Sequence, residues 1–515
     1  VKTGGSAPEG HFMKNKILLL FVLFFLTATP FLPEAFAESD TVDLGKAVRR
    51  HTLSNGLRLL IAERHLSPTV SCYIRYKVGA VDERGKSTGT AHFLEHLLFK
   101  GTETIGTVNY EREKPLRARI RKLVRELDRE KKKGSPGDEK KIESLAAEIA
   151  ALGEEAAGWT KPSEIDRLYT ESGAVNLNAS TGYDLTTYHV SLPANRLELW
   201  ARIESDRMAD AVFREFERER MVIEEERRQT VESVPNRRLV ELFLGTAFMV
   251  HPYRRPIIGW PSSIPFLDID YVERFYETYH VPNNAVIAVV GAVDPGRVLE
   301  IVERYFGRLP AREIPPRDIP GEPVQRGERR VEYRAPANPK IILGYHKPTL
   351  PSPDDVAFDL LDIVLTGGRT ARLHRVLVEE ATVASSVQSS SGFPGVRYDN
   401  LFTVFATPRS PHTLEELEKA LLSELDRLKE EAVPEREIEK ARNIYRAGLL
   451  REMRSNAGMA GLISYFEILT GDFRFLSEAL EQAENVTAED LKRIARTCFV
   501  DENRTVAILA GTGES

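Results

Sequence analysis

Cysteine is almost absent: Cys72 and Cys498 are the only 2 in 515 residues. Two thiols so far apart exclude a disulfide framework and a thiolate zinc cluster, and such a pair is ordinarily buried and unpaired. An excess of basic charge is also lacking. The formal net charge is −6, without the electrostatic footprint a nucleic-acid partner requires. The remainder is 42% hydrophobic and 29% charged. That is ordinary globular composition, with chain enough for roughly two to four domains.

The apolar run at residues 17–26 is too short to cross a bilayer comfortably. It follows Met13-Lys14-Asn15-Lys16 and precedes Ala35-Phe36-Ala37. A positive start, an apolar run and a small-x-small site mark a secretory signal, cut after Ala37. Residues 1–37 are therefore expected to be an upstream extension and signal. The mature protein would be exported, periplasmic in a Gram-negative source, with an uncleaved signal as its membrane attachment.

The chain turns on His92-Phe93-Leu94-Glu95-His96. The apolar Phe93, Leu94, Leu97 and Leu98 predict a helix, which puts His92 and His96 four apart on one face. Two neutral imidazoles so placed can hold one zinc ion. Glu95 then lies beside that metal, where a carboxylate can take a proton from water. Read with its flanks, Val78-Gly-Ala-Val-Asp-Glu83 and Gly89-Thr-Ala before it and Leu97-Leu-Phe-Lys-Gly-Thr102 after it, the segment resembles the pitrilysin/insulinase family of inverted zincins. It is similar to the half-size branch typified by mitochondrial processing peptidase.

Strands are expected at residues 57–62, after an Asn55-Gly56 turn, and at 70–78. Residues 111–158 change character. Leu116, Ile120, Leu123 and Leu127 form one helical stripe and Ile142, Leu145, Ile149 and Leu152 another, with a turn at 133–138 between them. This is a charged helical hairpin, packed on itself and inserted relative to the family. Two strand-like runs follow at 174–183 and 185–190, then helices at 197–208 and 213–231.

The mixed charges of the last helix read by themselves as a solvated, salt-bridged face. The resemblance implies more. Aligned without gaps to the family pattern, Arg218-Glu-Arg-Met-Val-Ile-Glu-Glu-Glu-Arg-Arg228 puts the third zinc ligand at Glu226, with Glu225 as the alternative. Glu219, on the same face two turns earlier, matches a second acidic residue near the metal and is expected to assist catalysis. Asn178, Ala179 and Thr181 match an edge strand that binds substrate backbone. His189, His251, His280 and His346 fall outside ligand spacing and are expected to be structural.

Residues 270–291 and 490–511 share length, an asparagine (Asn283, Asn503) and a closing β-branched strand, so two copies of one α+β unit are expected. A proline-rich linker, 310–328, joins the zinc-binding domain, 45–309, to a second, metal-free domain, 329–515, without packing. The fold class is therefore α+β: two homologous domains, each an antiparallel-rich mixed sheet with helices on one face. Leu365-Thr-Gly-Gly-Arg-Thr-Ala-Arg-Leu373 resembles the family's glycine-rich loop, but Ala381-Thr-Val-Ala-Ser385 stands where many members carry Arg and Tyr.

The resemblance implies a metallopeptidase with one zinc per chain that hydrolyses peptides or unfolded polypeptides. The missing pair implies a homodimer, or a related chain without the zinc motif that supplies the arginine and tyrosine. The competing class is a non-catalytic subunit of the same fold.

Overall fold

The computed structural model describes residues 44–134 and 136–512. The expected signal at 1–37 lies outside them. Among the described residues no helix is long and apolar enough to cross a membrane.

The first half runs α1 (Leu44–Ala47), β1 (Arg49–Thr52), β2 (Arg58–Glu63), β3 (Thr69–Tyr76) and α2 (Thr90–Leu97). The hairpin helices α3 (Tyr110–Lys131) and α4 (Glu139–Ala157) come next, then α5 (Glu164–Glu171), β4 (Val175–Thr181) and β5 (Thr186–Pro193). Four helices follow, α6 (Leu197–Ala209), α7 (Phe216–Arg227), α8 (Pro235–Ala247) and α9 (Ile269–Tyr279), before β6 (Ala285–Gly291) and α10 (Pro295–Phe306). The second half holds β7 (Arg329–Ala335), β8 (Lys340–Lys347), α11 (Asp354–Thr366), β9 (Ala384–Phe393) and β10 (Asn400–Pro408). It ends with α12 (Leu414–Glu430), α13 (Glu435–Glu452), α14 (Asn456–Thr470), α15 (Phe475–Asn485), α16 (Ala488–Cys498) and β11 (Arg504–Gly511).

The duplication extends beyond the matching stretches to whole sheets. The first sheet is ordered β1-β2-β6-β3-β5-β4 and the second β7-β11-β8-β10-β9. Leaving out β1, the orders correspond strand for strand. β2 and β6 run parallel, as do β7 and β11, and the other pairings are antiparallel. In both sheets the outermost strand, β4 or β9, follows the motif helix in sequence and leaves one edge free.

Each half lays its own helices on one face of its sheet, as expected, but the other face is covered too. Every residue of β6 is buried, as an apolar run buried on both sides requires. Ile287 and Val289 join the core beneath α2, α6 and α9. Val286, Ala288 and Val290 meet a cluster containing Met459, Ala460 and Ile463 of α14, a helix of the second half. Reciprocally, Leu239, Phe243 and Leu244 of α8 join Ile342, Ala507 and Leu509 of the second sheet. Gly344 makes room for this: a Cβ there would stand 2.4 Å from the Phe243 ring.

Polar contacts follow the exchange. Arg75 donates to Ser464 Oγ (2.8 Å) and the Gly461 carbonyl (3.2 Å), and Arg58 to the Glu467 carbonyl (2.9 Å). Glu467, fully buried, also pairs with Arg50 at 2.8 Å. Burying each large aliphatic side chain of these faces contributes about 1.5–3 kcal/mol, so neither sheet is complete without the other half's helix.

The linker departs from expectation. Residues 310–326 form neither helix nor strand, but they pack through side chains. Arg317 pairs with buried Asp82 at 2.8 Å, Glu322 accepts from the Val250 and His251 amides at 3.0 Å, and Gln325 donates to the Arg504 carbonyl at 2.7 Å. Proline withholds the backbone donors a ladder needs, so polar side chains make the attachment instead. The hairpin also exceeds its expected self-packing. Leu123, Val124, Leu127, Leu145, Ile149 and Leu152 merge with the first half's core.

The exchange predicts that the first half cannot fold alone. Residues 44–309 made separately should show exposed apolar surface by dye binding and no cooperative unfolding. A monomeric fragment with a sharp thermal transition would contradict it.

Candidate metal centre

The motif helix α2 is set by what precedes it. Glu83 accepts from the Gly89 amide (2.9 Å) and the Ala91 amide (2.8 Å), placing a carboxyl group on the free donors of the helix N-terminus, although burial outweighs these bonds and pushes its pKa up to about 8. Phe93, Leu94 and Leu97 are fully buried against the sheet. The 3.6-residue period then turns His92, Glu95 and His96 onto the opposite, half-buried face.

Helix α7 brings the acids. Glu226 Oε1 lies 3.7 Å from His92 Nε2, and Oε2 lies 3.5 Å from His96 Nε2. One donor atom from each of these three residues falls within 4.8 Å of the other two, the one such group among the described residues. Tetrahedral zinc with bonds of ~2.1 Å has ligand–ligand edges of about 3.4 Å, so the donor set and spacing fit that ion. Glu225 faces away, pairing with Arg228 and Gln229 on the exposed side. Glu219 does not join the three. It sits behind His96, 3.4 Å from Nδ1, and pairs with Lys100 Nζ at 2.5 Å.

The electrostatics of the protein groups agree with this division. Burial, reinforced by neighbouring His96, pushes His92 down to about 3, leaving a neutral imidazole. Burial also works against a charge on His96, but Glu219, Glu226 and Glu95 outweigh it and raise its pKa. Burial raises Glu95 and Glu226. Glu219 is lowered despite burial, because His96 and Lys100 favour its charged form.

The candidate binding strand reaches the same place. Thr181, at the end of edge strand β4, donates its hydroxyl to Glu95 Oε2 at 2.5 Å. Ala179 is buried and Asn178 exposed on that strand. Across the ladder from Ala179 lies Tyr188, whose buried hydroxyl has no partner among the described residues and whose pKa is raised by burial and then by Glu95.

Sequence reasoning missed Glu83, Lys100 and Tyr188. Glu83 lies six residues before Gly89, and its capping role depends on a turn that periodicity does not reveal. The other histidines lie apart from this group: His189 stacks on Tyr73, His280 packs on Tyr76, His251 on Tyr253, and His346 contacts the Ala247 carbonyl.

The second half repeats the geometry without the chemistry. On α11, Asp359 and Asp362 accept from Ser391 and Ser389 of edge strand β9, much as Glu95 accepts from Thr181. No histidine accompanies them on that helix. Cys72 and Cys498 are free and buried.

Comparison with known proteins supports this picture. The insulinase (peptidase family M16) model matches residues 58–114, and the peptidase M16 inactive domain model matches residues 267–445. The zinc protease PqqE of Helicobacter pylori is 26% identical over 467 residues, covering 89% of this chain and 91% of the relative. The probable mitochondrial-processing peptidase subunit beta of Arabidopsis thaliana is 23% identical over 474 residues, covering 89% and 77%. The crystal structure of a protease from Helicobacter pylori superposes with a TM-score of 0.75 at 25% identity, over 90% of this chain and 99% of that one. The insulinase model thus falls on the histidine-bearing segment and the inactive-domain model runs from α9 of the first half into the second, so both halves of the chain are similar to peptidases of family M16.

Proposed function

We propose that the protein is a zinc-dependent peptidase that hydrolyses peptides or unfolded polypeptides, with Glu95 as general base. One arrangement carries the reading: donor atoms of His92, His96 and Glu226 lie within 4.8 Å of one another, beside the Glu95 carboxyl. When bound, zinc lowers the pKa of a coordinated water to about 7 and polarises a carbonyl. Glu95, its affinity for a proton raised by burial, accepts the proton of the attacking water and delivers it to the leaving amine. Glu219 holds His96 in the tautomer that turns its Nε2 lone pair toward the site, an orienting role rather than contact with substrate.

An extended peptide adds to the free edge of β4 along Asn178, Ala179 and Thr181, so main-chain bonds bind it and side-chain pockets select. The Thr181–Glu95 bond links that strand to the base. Because residues 381–385 offer no arginine or tyrosine, a second chain completes the site. It is either a copy of this one or a relative without the zinc motif that brings the pair to the substrate carbonyl. The signal pattern at residues 1–37 supports export.

Two variants test the assignment. Glu95→Gln should keep one zinc per chain by metal analysis and lower kcat on an unstructured peptide about 10²- to 10⁴-fold. Glu226→Gln should lose the zinc. Wild-type turnover by Glu95→Gln, or zinc retained by Glu226→Gln, would contradict it. A wild-type chain that holds zinc but cleaves nothing, alone or with a related chain, would favour the non-catalytic reading.

Thr181→Val removes a hydroxyl bond to a carboxylate, an interaction worth about 1.5–3 kcal/mol. It should lower kcat about 10- to 100-fold with little change in KM. An unchanged kcat would show that the bond does not position Glu95.

A further inference from the structure

The hairpin α3–α4 supplies none of His92, His96 and Glu226, yet its first helix is bolted to the segment that carries Glu226. Two buried arginines make the attachment. Arg214, just before α7, sets its Nε 2.8 Å from Glu113 Oε1 and its Nη2 3.0 Å from Oε2. The same guanidinium donates to the carbonyls of Lys100 (3.1 Å) and Thr102 (2.8 Å), in the loop that leaves α2. Within α7, Arg220 spans both oxygens of Asp128 at 2.9 Å and also meets Glu217 and the Leu267 carbonyl. Glu113 and Asp128 both belong to α3, and all four side chains are at most 4% exposed.

Apolar contacts continue the attachment. Leu123, Val124 and Leu127 of α3 share a cluster with Phe216 and Ile223 of α7, and Phe216 meets Phe93 of α2 edge to face at 4.9 Å. Other hairpin pairs are of a different kind: Arg125–Asp270 and Lys132–Asp268 are more than one-third exposed and run to α9 or the turn before it.

We infer that the hairpin is a clamp on the metal-ligand helix, in which Glu113 and Asp128 are positioning residues that fix the rotation and depth of α7 and so of Glu226. The inference rests on the zinc reading above. A planar guanidinium bound at both oxygens of a carboxylate fixes direction as well as distance. A ligand set works only when its carriers hold position to within about 0.5 Å. Removing one partner of a buried pair leaves a charge unmatched, and α7 is then free to shift. Arg214 ties the start of α7, the hairpin and the exit from α2 into one joint, so both ligand-bearing helices share the anchor.

The test measures zinc affinity of the full chain by chelator competition, together with amide exchange of the zinc-free protein. Asp128→Asn should weaken zinc binding about 10- to 100-fold, the usual effect of losing outer support. It should also speed exchange in residues 216–227 while leaving 90–97 unchanged. Glu113→Gln, at the other anchor, should act in the same direction. Asp270→Asn cuts an exposed hairpin pair that does not reach α7, and should leave affinity within about twofold. The clamp is overturned if Asp128→Asn and Glu113→Gln bind zinc as the wild type does, or if Asp270→Asn weakens it equally. Failure of the zinc reading looks different: the wild type itself binds weakly, or Glu226→Gln binds as tightly as the wild type.

Discussion

Everything at the centre depends on a carboxylate of α7 being held against two imidazoles of α2, although Glu226 stands far from His92 and His96 in sequence. Such a meeting desolvates an acid beside two bases and is unfavourable unless the surroundings compensate. Here they do so by division of labour. Burial pushes His92 down to about 3 and so favours its neutral form, Glu219, Glu226 and Glu95 raise His96 against burial, and Lys100 pairs with Glu219 in turn. Glu83 on the N-terminus of α2 and Phe93 against Phe216 fix where the two helices meet.

The fold supplies the stiffness this arrangement needs. Two copies of one sheet could have remained separate lobes, but α8 and α14 change sides, each covering the sheet of the other copy. The sheet behind the histidines is thereby packed on both faces, and the half without metal chemistry becomes part of the scaffold. Its own version of the site keeps the helix, the edge strand and the hydroxyl–carboxylate bonds, but its helix carries no histidine. The two copies share the geometry, and among the described residues the three-residue donor set occurs in the first copy alone.

Much of this was legible in the sequence. The helix of His92 and His96 follows from apolar spacing, the hairpin limits of 111–158 lie within one residue of Tyr110 and Ala157, and the repeat was visible in its last helix and strand. Long-range pairing was not. Nothing local in the sequence distinguishes the buried ion pairs of Arg214, Arg220 and Arg317 from exposed ones. The crossing of α8 and α14 was hidden for a similar reason: an apolar stripe says that a helix is covered, not which sheet covers it. The α7 helix, expected over 213–231, spans Phe216–Arg227, since the following residues widen into a π-helical turn at Arg228–Glu232.

The function proposed for α2 and α7 stands or falls on which side chains hold the metal. Zinc K-edge X-ray absorption on the full chain loaded with one equivalent of zinc tests it most directly. The predicted spectrum has two imidazole nitrogens at about 2.0 Å, oxygen donors at about 2.0–2.2 Å and no sulfur, with the imidazole outer-shell scattering lost in a His92→Gln, His96→Gln double variant. A shell of oxygens alone, or a spectrum indifferent to both histidines, would contradict it.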